Sequence, residues 1–227
     1  MKVDIIPAIL PKDFAELEEK ISLVRDFVKT VQIDVCDGQF TPAPSWPYKK
    51  RDDTFEKMLT EEEGLPCWEK LNFEIDLMVN KPETVVEDWV RAGATRIIIH
   101  AEAIGSVTEA VDMLAGRVEV GLALNIDTPI DAIEHYKKKI QFVQCMGIAH
   151  IGFQGQDFDN RVVEKVQSIK AMYPAMIVSV DGGVSLETAP FLIKAGADRL
   201  IVGSAIFNSD NFIDAIDQFK KLPYLQE

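Results

Sequence analysis

Short apolar runs in this chain carry polar side chains at every second position. Val31-Gln32-Ile33-Asp34-Val35-Cys36 alternates Val31, Ile33 and Val35 with Gln32, Asp34 and Cys36. Phe73-Glu74-Ile75-Asp76-Leu77-Met78 sets Glu74, Asp76 and Met78 apart from its apolar face, Ile98 stands with His100, and Ile177 and Ser179 stand with Asp181. An extended strand turns successive side chains to opposite sides, so each run reads as a strand with one apolar face and one face able to do chemistry. If the apolar faces pack on helices, Gln32, Asp34, Glu74, Asp76, His100 and Asp181 gather in one cup. Carboxylates so confined cannot all ionise: a cation sits among them, or one keeps its proton with a raised pKa. Either outcome marks a catalytic site. An inward acid paired with Lys or Arg would be structural instead, and Glu74 and Asp76 are most open to that role.

A second constellation lies late in the chain, where Asp181-Gly182-Gly183 and Gly203-Ser204-Ala205 each lead out of an apolar run toward a helix. Backbone N–H groups at glycine turns and helix starts bind phosphate without a lysine. Gly152-Phe153-Gln154-Gly155-Gln156 is placed to close over the same group, and His150 beside it could reach a ligand. Cys36 reads as an inward packing residue, His135 as a surface residue beside Lys137 to Lys139, and Trp46 and Trp68 as anchors.

The elements that must position these groups are eight apolar runs: Val3 to Ile9, Val31 to Cys36, Phe73 to Met78, Arg96 to His100, Val118 to Leu124, Gln141 to Met146, Met176 to Val180 and Arg199 to Val202. Between them lie stretches of helical period, such as Phe14, Leu17, Ile21, Val24 and Val28, or Val162, Val163, Val166 and Ile169. Asp13, Ser106, Thr128 and Asp159 stand where N-caps belong, and Pro82 falls near a helix start. Eight strand-helix units predict a (β/α)8 TIM barrel, read as a single domain over 1–227; the alternative is an open doubly wound sheet. Ala92-Gly93-Ala94 and Ala195-Gly196-Ala197 echo one another as helix-to-strand turns. The irregular part is about 38–71, with four prolines after Phe40 and the acidic Glu61-Glu62-Glu63. A loop over the barrel mouth and a poorly formed or displaced second helix are expected there.

The 227 residues are 47% hydrophobic and 27% charged, which excludes collagen-like, coiled-coil, disordered and disulfide-scaffold classes. Against 24 Lys and Arg stand 37 Asp and Glu, a net charge of −13. That field repels nucleic acid and anionic lipid surfaces, so neither is expected as a partner. A phosphorylated ligand must then be held by local donors. Cys36, Cys67 and Cys145 have no C-x-x-C spacing, which argues against disulfides and a zinc ribbon and for a reducing, cytoplasmic setting. The apolar run after Asp4 is too short for a signal segment or a membrane span.

Together, Ile6-Pro7-Ala8-Ile9-Leu10, Gln32 to Pro42, Ile75-Asp76-Leu77-Met78, Gly152 to Gln156, Val180-Asp181-Gly182-Gly183 and Gly203-Ser204-Ala205-Ile206-Phe207 resemble the ribulose-phosphate 3-epimerase family. The likeness runs in order from about residue 5 to residue 208. It implies an isomerase that epimerises a ketopentose phosphate by proton transfer through an enediolate, with Asp34 and Asp181 as acid and base on opposite faces. It implies further that Ala8, Met78, Met146, Gly152, Phe153, Gln154, Gly155, Gly182, Gly183, Gly203 and Ser204 line the sugar and its phosphate. His100, Glu102, Asn125, Thr128 and Pro129 also match the family pattern.

The departures from the family are specific. Its two metal-binding histidines are Gln32 and Asp76 here, its Pro-Ser-Ile-Leu serine is Ala8, one of its methionines is Cys36, and Gly147 to Ile151 replaces its Asn-Pro. A metal held by Gln32, Asp34, Asp76 and Asp181 would have an all-oxygen shell, favouring magnesium or manganese over zinc, or no metal at all. Two alternatives follow: a phosphosugar-binding barrel that has lost catalysis, and a related phosphosugar lyase or decarboxylase. Related decarboxylases place a lysine in an Asp-x-Lys cluster, whereas Asp76-Leu77-Met78 has none. A homo-oligomer is expected, of unspecified size.

Overall fold

Each of the eight runs is rich in β-branched or large apolar residues and flanked by turn formers, and each becomes a strand. In a computed structural model, which describes residues 3–49, 53–153 and 155–222, they are β1 (Asp4–Ile9), β2 (Thr30–Cys36), β3 (Asn72–Met78), β4 (Arg96–His100), β5 (Glu119–Leu124), β6 (Phe142–Met146), β7 (Ile177–Asp181) and β8 (Arg199–Val202). Each strand pairs in parallel with the next and β8 returns to β1. The pairing of Asp4 to Pro7 with Arg199 to Val202 closes the ring. A closed ring has no edge strands, so the chain is a (β/α)8 barrel and the open-sheet alternative is overturned.

The helices are α1 (Phe14–Val24), α2 (Asp53–Leu59), α3 (Val86–Arg91), α4 (Val107–Leu114), α5 (Ala132–Tyr136), α6 (Arg161–Met172), α7 (Ala189–Ala195), α8 (Ser204–Phe207) and α9 (Phe212–Lys221). Asp13 and Ser106 cap α1 and α4 by accepting from the N–H groups of Glu16 and Glu109. Pro82 opens a short 3₁₀ turn before α3. Thr128 is not a cap: its hydroxyl donates to Glu102, and α5 starts later, at Ala132. Asp159 accepts from the Arg161 N–H one position before the observed cap, Asn160. The two Ala-Gly-Ala turns close alike, with Ala94 donating to the Trp89 carbonyl and Ala197 to that of Leu192.

Helix stripes meet the outward strand faces in one continuous core. Leu17, Ile21 and Val24 of α1 and Val162, Val166 and Ile169 of α6 are buried in one cluster with outward strand residues such as Val31, Ile33, Val35, Ile75 and Leu77, α6 lying against β6 and β7. The barrel interior is a separate space. Ile98, Ala123 and Phe142 fill its middle with Ile177 against them, and Ile6, Ala8 and Ile201 pack beside β1 and β8.

In the irregular region α2 is short, with Met58 its buried residue. Trp46 anchors the preceding loop, fully buried against the rings of Phe14, Phe55 and Trp89 at 5.5, 5.6 and 6.0 Å. Trp68 departs from expectation: it is 64% exposed, lying over Gly64 instead of inside the core.

Gly121 of β5 faces the Phe142 ring so closely that an added Cβ would stand 2.4 Å from it. Gly121→Ala should destabilise the fold by about 1–3 kcal/mol through overpacking. Gly121→Ala with Phe142→Leu should recover part of the loss. Urea unfolding midpoints check both, and an unchanged midpoint for Gly121→Ala would show that the ring gives way freely.

Candidate active site

The strand ends bring the sequence-derived groups to one mouth. Asp34 sits on β2, whose end is fixed by the buried Ser45: its hydroxyl accepts from the Cys36 N–H at 2.9 Å and donates to the Asp34 carbonyl at 3.1 Å. Asp37 then accepts from the N–H groups of Gln39 and Phe40 and, through its second oxygen, from that of Asn80. The loops after β2 and β3 are thereby tied together. Asp181 ends β7, where its carbonyl accepts from the Gly147 N–H at 2.6 Å.

A cleft opens there, lined by Ala8, Asp34, Met78, Met146, Gly152, Phe153, Gly155, Asp181, Gly182, Gly183, Gly203 and Ser204, along with Leu10, Ile148, Gln156, Val184 and Ile201. Gln154 lies outside the described residues. His150 is exposed and does not line the cleft, and His135 is a surface residue on α5. Gly182 and Gly183 have φ of +98° and +66°, a left-handed backbone open to glycine at little cost. A Cβ on Gly183 would meet the Phe158 backbone at 2.8 Å. Among the described residues the Gly183 N–H makes no backbone hydrogen bond, and the N–H of Ser204, at the first turn of α8, has no partner within its helix.

Beneath the cleft, Gln32 and Asp76 are fully buried. Gln32 Nε2 donates to Asp34 Oδ1 at 2.8 Å and to Asp181 Oδ2 at 2.9 Å. Gln144 Nε2 reaches Asp76 Oδ2 at 3.1 Å and Asp181 Oδ2 at 3.4 Å. His100 Nε2 meets Asp76 Oδ1 at 3.0 Å, and its Nδ1 lies 3.7 Å from Glu102 Oε2. Glu102 in turn accepts from the Asn125 N–H at 2.8 Å and from the Thr128 hydroxyl. Asp34, Asp76 and Asp181 each bring an oxygen within 4.8 Å of the others.

This confinement sets the protonation. Burial, then the charges of Asp181 and Asp76, push Asp34 well above the usual carboxylate range, against the pull of the Gln32 amide. Burial and the Asp76 charge raise Asp181 to about 7, opposed by Gln32 and His100. Burial works against a charged His100, but Asp76 and Glu102 outweigh it and lift His100 to about 10, so the ring is an imidazolium. Burial likewise pushes the Cys36 thiol up to about 12, leaving it an inert packing group.

Glu74 is not part of this cup. It lies toward the opposite, N-terminal end of the barrel, 3.4 Å from Arg96 and 3.7 Å from Arg199, while the Arg199 guanidinium covers the Phe142 ring at 4.7 Å. Alternation gives the face of a strand but not the height along it, and the arginines come from β4 and β8. Gln144 is absent from the residues expected above, although the same alternation on β6 groups it with Phe142 and Met146 on the inward face.

The Ribulose-phosphate 3 epimerase family model matches residues 4–207. A ribulose-phosphate 3-epimerase of Bacillus subtilis (strain 168) is 30% identical over 225 residues, covering 96% of this chain and 98% of its own. A chloroplastic ribulose-5-phosphate-3-epimerase of Arabidopsis thaliana is 31% identical over 229 residues, covering 96% of this chain and 77% of its own. Among solved structures, KGPDC from Streptococcus mutans superposes with a TM-score of 0.70 at 15% identity, covering 100% of each chain. The 3-hexulose-6-phosphate synthase of Salmonella typhimurium gives 0.72, at 14% identity over 100% of both chains. These two likenesses concern the fold alone. The chain belongs to the ribulose-phosphate 3-epimerase family of carbohydrate epimerases.

Proposed function

We propose that this chain epimerises a ketopentose phosphate, of the ribulose 5-phosphate to xylulose 5-phosphate type, by passing protons between substrate carbon and the Asp34 and Asp181 pair. One observation carries this reading. A buried carboxylate from β2 and a half-buried one from β7 line one cleft, each with one oxygen on the Gln32 amide and the other without a hydrogen bond among the described residues. One carboxylate, ionised, removes the proton beside the ketone; the other, protonated, delivers a proton to the opposite face. One C–H bond breaks and one forms, and the enzyme ends with the proton on the other aspartate. The substrate phosphate would sit against the N–H groups of Gly182, Gly183, Gly203 and Ser204, which answers the overall charge of −13 with local donors.

The arrangement does not fit a divalent ion. The point between Asp34 and Asp181 that a bridging cation would need is taken by Gln32 Nε2, and both Asp76 oxygens already receive donors, from His100 and Gln144. Zinc in particular prefers imidazole and thiolate ligands, and His100 turns Nε2 to Asp76 instead. Proton abstraction moves a negative charge from the base to the enediolate without changing the total in the cleft. The decarboxylase reading has no support at the mouth, where no lysine lines the cleft among the described residues. A cytoplasmic setting suits the unpaired Cys36, Cys67 and Cys145, and among the described residues no helix is long and apolar enough to cross a membrane.

Asp34→Asn and Asp181→Asn should each lower epimerisation of ribulose 5-phosphate by roughly 10² to 10⁴-fold, with each variant still exchanging deuterium on the face of the surviving aspartate. Near wild-type turnover in either would remove these residues from the mechanism, and phosphosugar binding without exchange in the wild type would favour the binding-only barrel. kcat/KM should climb as pH increases through about 7, because below it Asp181 takes up a proton while burial and the neighbouring acids push Asp34 toward its protonated form as well. A flat profile there would contradict the pairing. Activity should survive exhaustive chelation, with less than stoichiometric metal by elemental analysis. One tightly bound metal per chain, needed for turnover, would overturn the metal-free reading.

A further inference from the structure

Gln144 has no part in the proton transfer as proposed, yet it occupies a costly position. It is fully buried, with Oε1 lacking a hydrogen-bond partner among the described residues. A buried amide oxygen without a partner is unfavourable, and an apolar side chain beside Phe142 and Met146 would avoid that cost. What the amide gains is on its other side, where Nε2 spans Asp76 and Asp181. Gln32 spans Asp34 and Asp181 in the same way. The result is an unbroken alternation of acceptor and donor: Asp34, Gln32, Asp181, Gln144, Asp76, His100.

An amide nitrogen has two hydrogens in fixed directions, so each glutamine sets the placement of two carboxylates relative to each other. Both converge on Asp181 Oδ2, which is gripped by two amides and leaves Oδ1 for substrate. Asp34 is held by one. We propose that Gln144 is a positioning residue that fixes the Asp181 carboxylate for proton transfer, in partnership with Gln32 and backed by the Asp76–His100 pair. This rests on the assignment of Asp34 and Asp181 as the acid/base pair.

The test uses Gln144→Leu and Gln144→Met, which remove the donor at similar length, with melting temperature followed to show that both fold. Loss of a hydrogen bond to a charged group should lower kcat roughly 10- to 100-fold, with KM for ribulose 5-phosphate changed less than about threefold, since the glycine cradle is untouched. The discriminating measurement is deuterium exchange in the Asp181→Asn background, where only the Asp34 face reacts. There Gln144→Leu should change the remaining exchange by less than about twofold. Equal damage to both faces, a loss confined to KM, or full kcat in Gln144→Leu would each overturn the role for Gln144 while leaving the acid/base pair standing. A wild-type chain that exchanges no proton overturns that pair, and the role of Gln144 with it.

Discussion

Three carboxylates brought within 4.8 Å of one another inside a barrel are the constraint on which the rest of this molecule depends. Left alone they would repel, and burial would raise the cost of every charge. The chain meets this with neutral donors between the acids and one imidazolium behind them. Gln32 and Gln144 separate the acids, and His100 is charged because Asp76 and Glu102 flank it. Removing a link leaves an acid unpaired in a space with little solvent. The loops serve the same end: Ser45 pins the end of β2, Asp37 ties it to the loop after β3, and Glu102 is held by Asn125 and Thr128.

The barrel separates this polar assembly from its own stability. Glu74, Arg96 and Arg199 pair at the N-terminal end, and Phe142, Ile98, Ala123 and Ile177 fill the space between. Chemistry stays at the carboxyl ends of the strands, where loops can vary without unsettling the ring. That division lets chains only 14–15% identical keep the same fold.

Much of this was legible in the sequence because strand periodicity is a local property. The alternation in Val31 to Cys36 and Phe73 to Met78 placed Gln32, Asp34 and Asp76 on inward faces, and the short helical stripes between runs made a closed barrel the economical arrangement. What escaped depends on height and partners. Glu74 shares a face with Asp76 but lies near arginines from β4 and β8. Thr128 has the residue type of a cap, yet a carboxylate from the loop after β4 claims its hydroxyl. Trp68 reads as an anchor from its size alone, while the anchoring is done by Trp46 within a cluster assembled from three helices.

The placing of Gln32 and Gln144 among the acids has a consequence for the charge the site can hold. A divalent ion concentrates charge at a point and polarises the oxygens it touches, whereas an amide offers two weak, directed donors and no net charge. Two glutamines can hold two aspartates in register, but they cannot cancel a second negative charge. Burial and mutual charge therefore push both Asp34 and Asp181 toward keeping a proton, while His100 faces Asp76 at 3.0 Å. A singly protonated pair is the state that a two-face proton transfer requires, since one aspartate must accept as the other donates. Electrostatic balance and the proposed proton transfer thus favour the same protonation state, which the chain of amides supports by geometry.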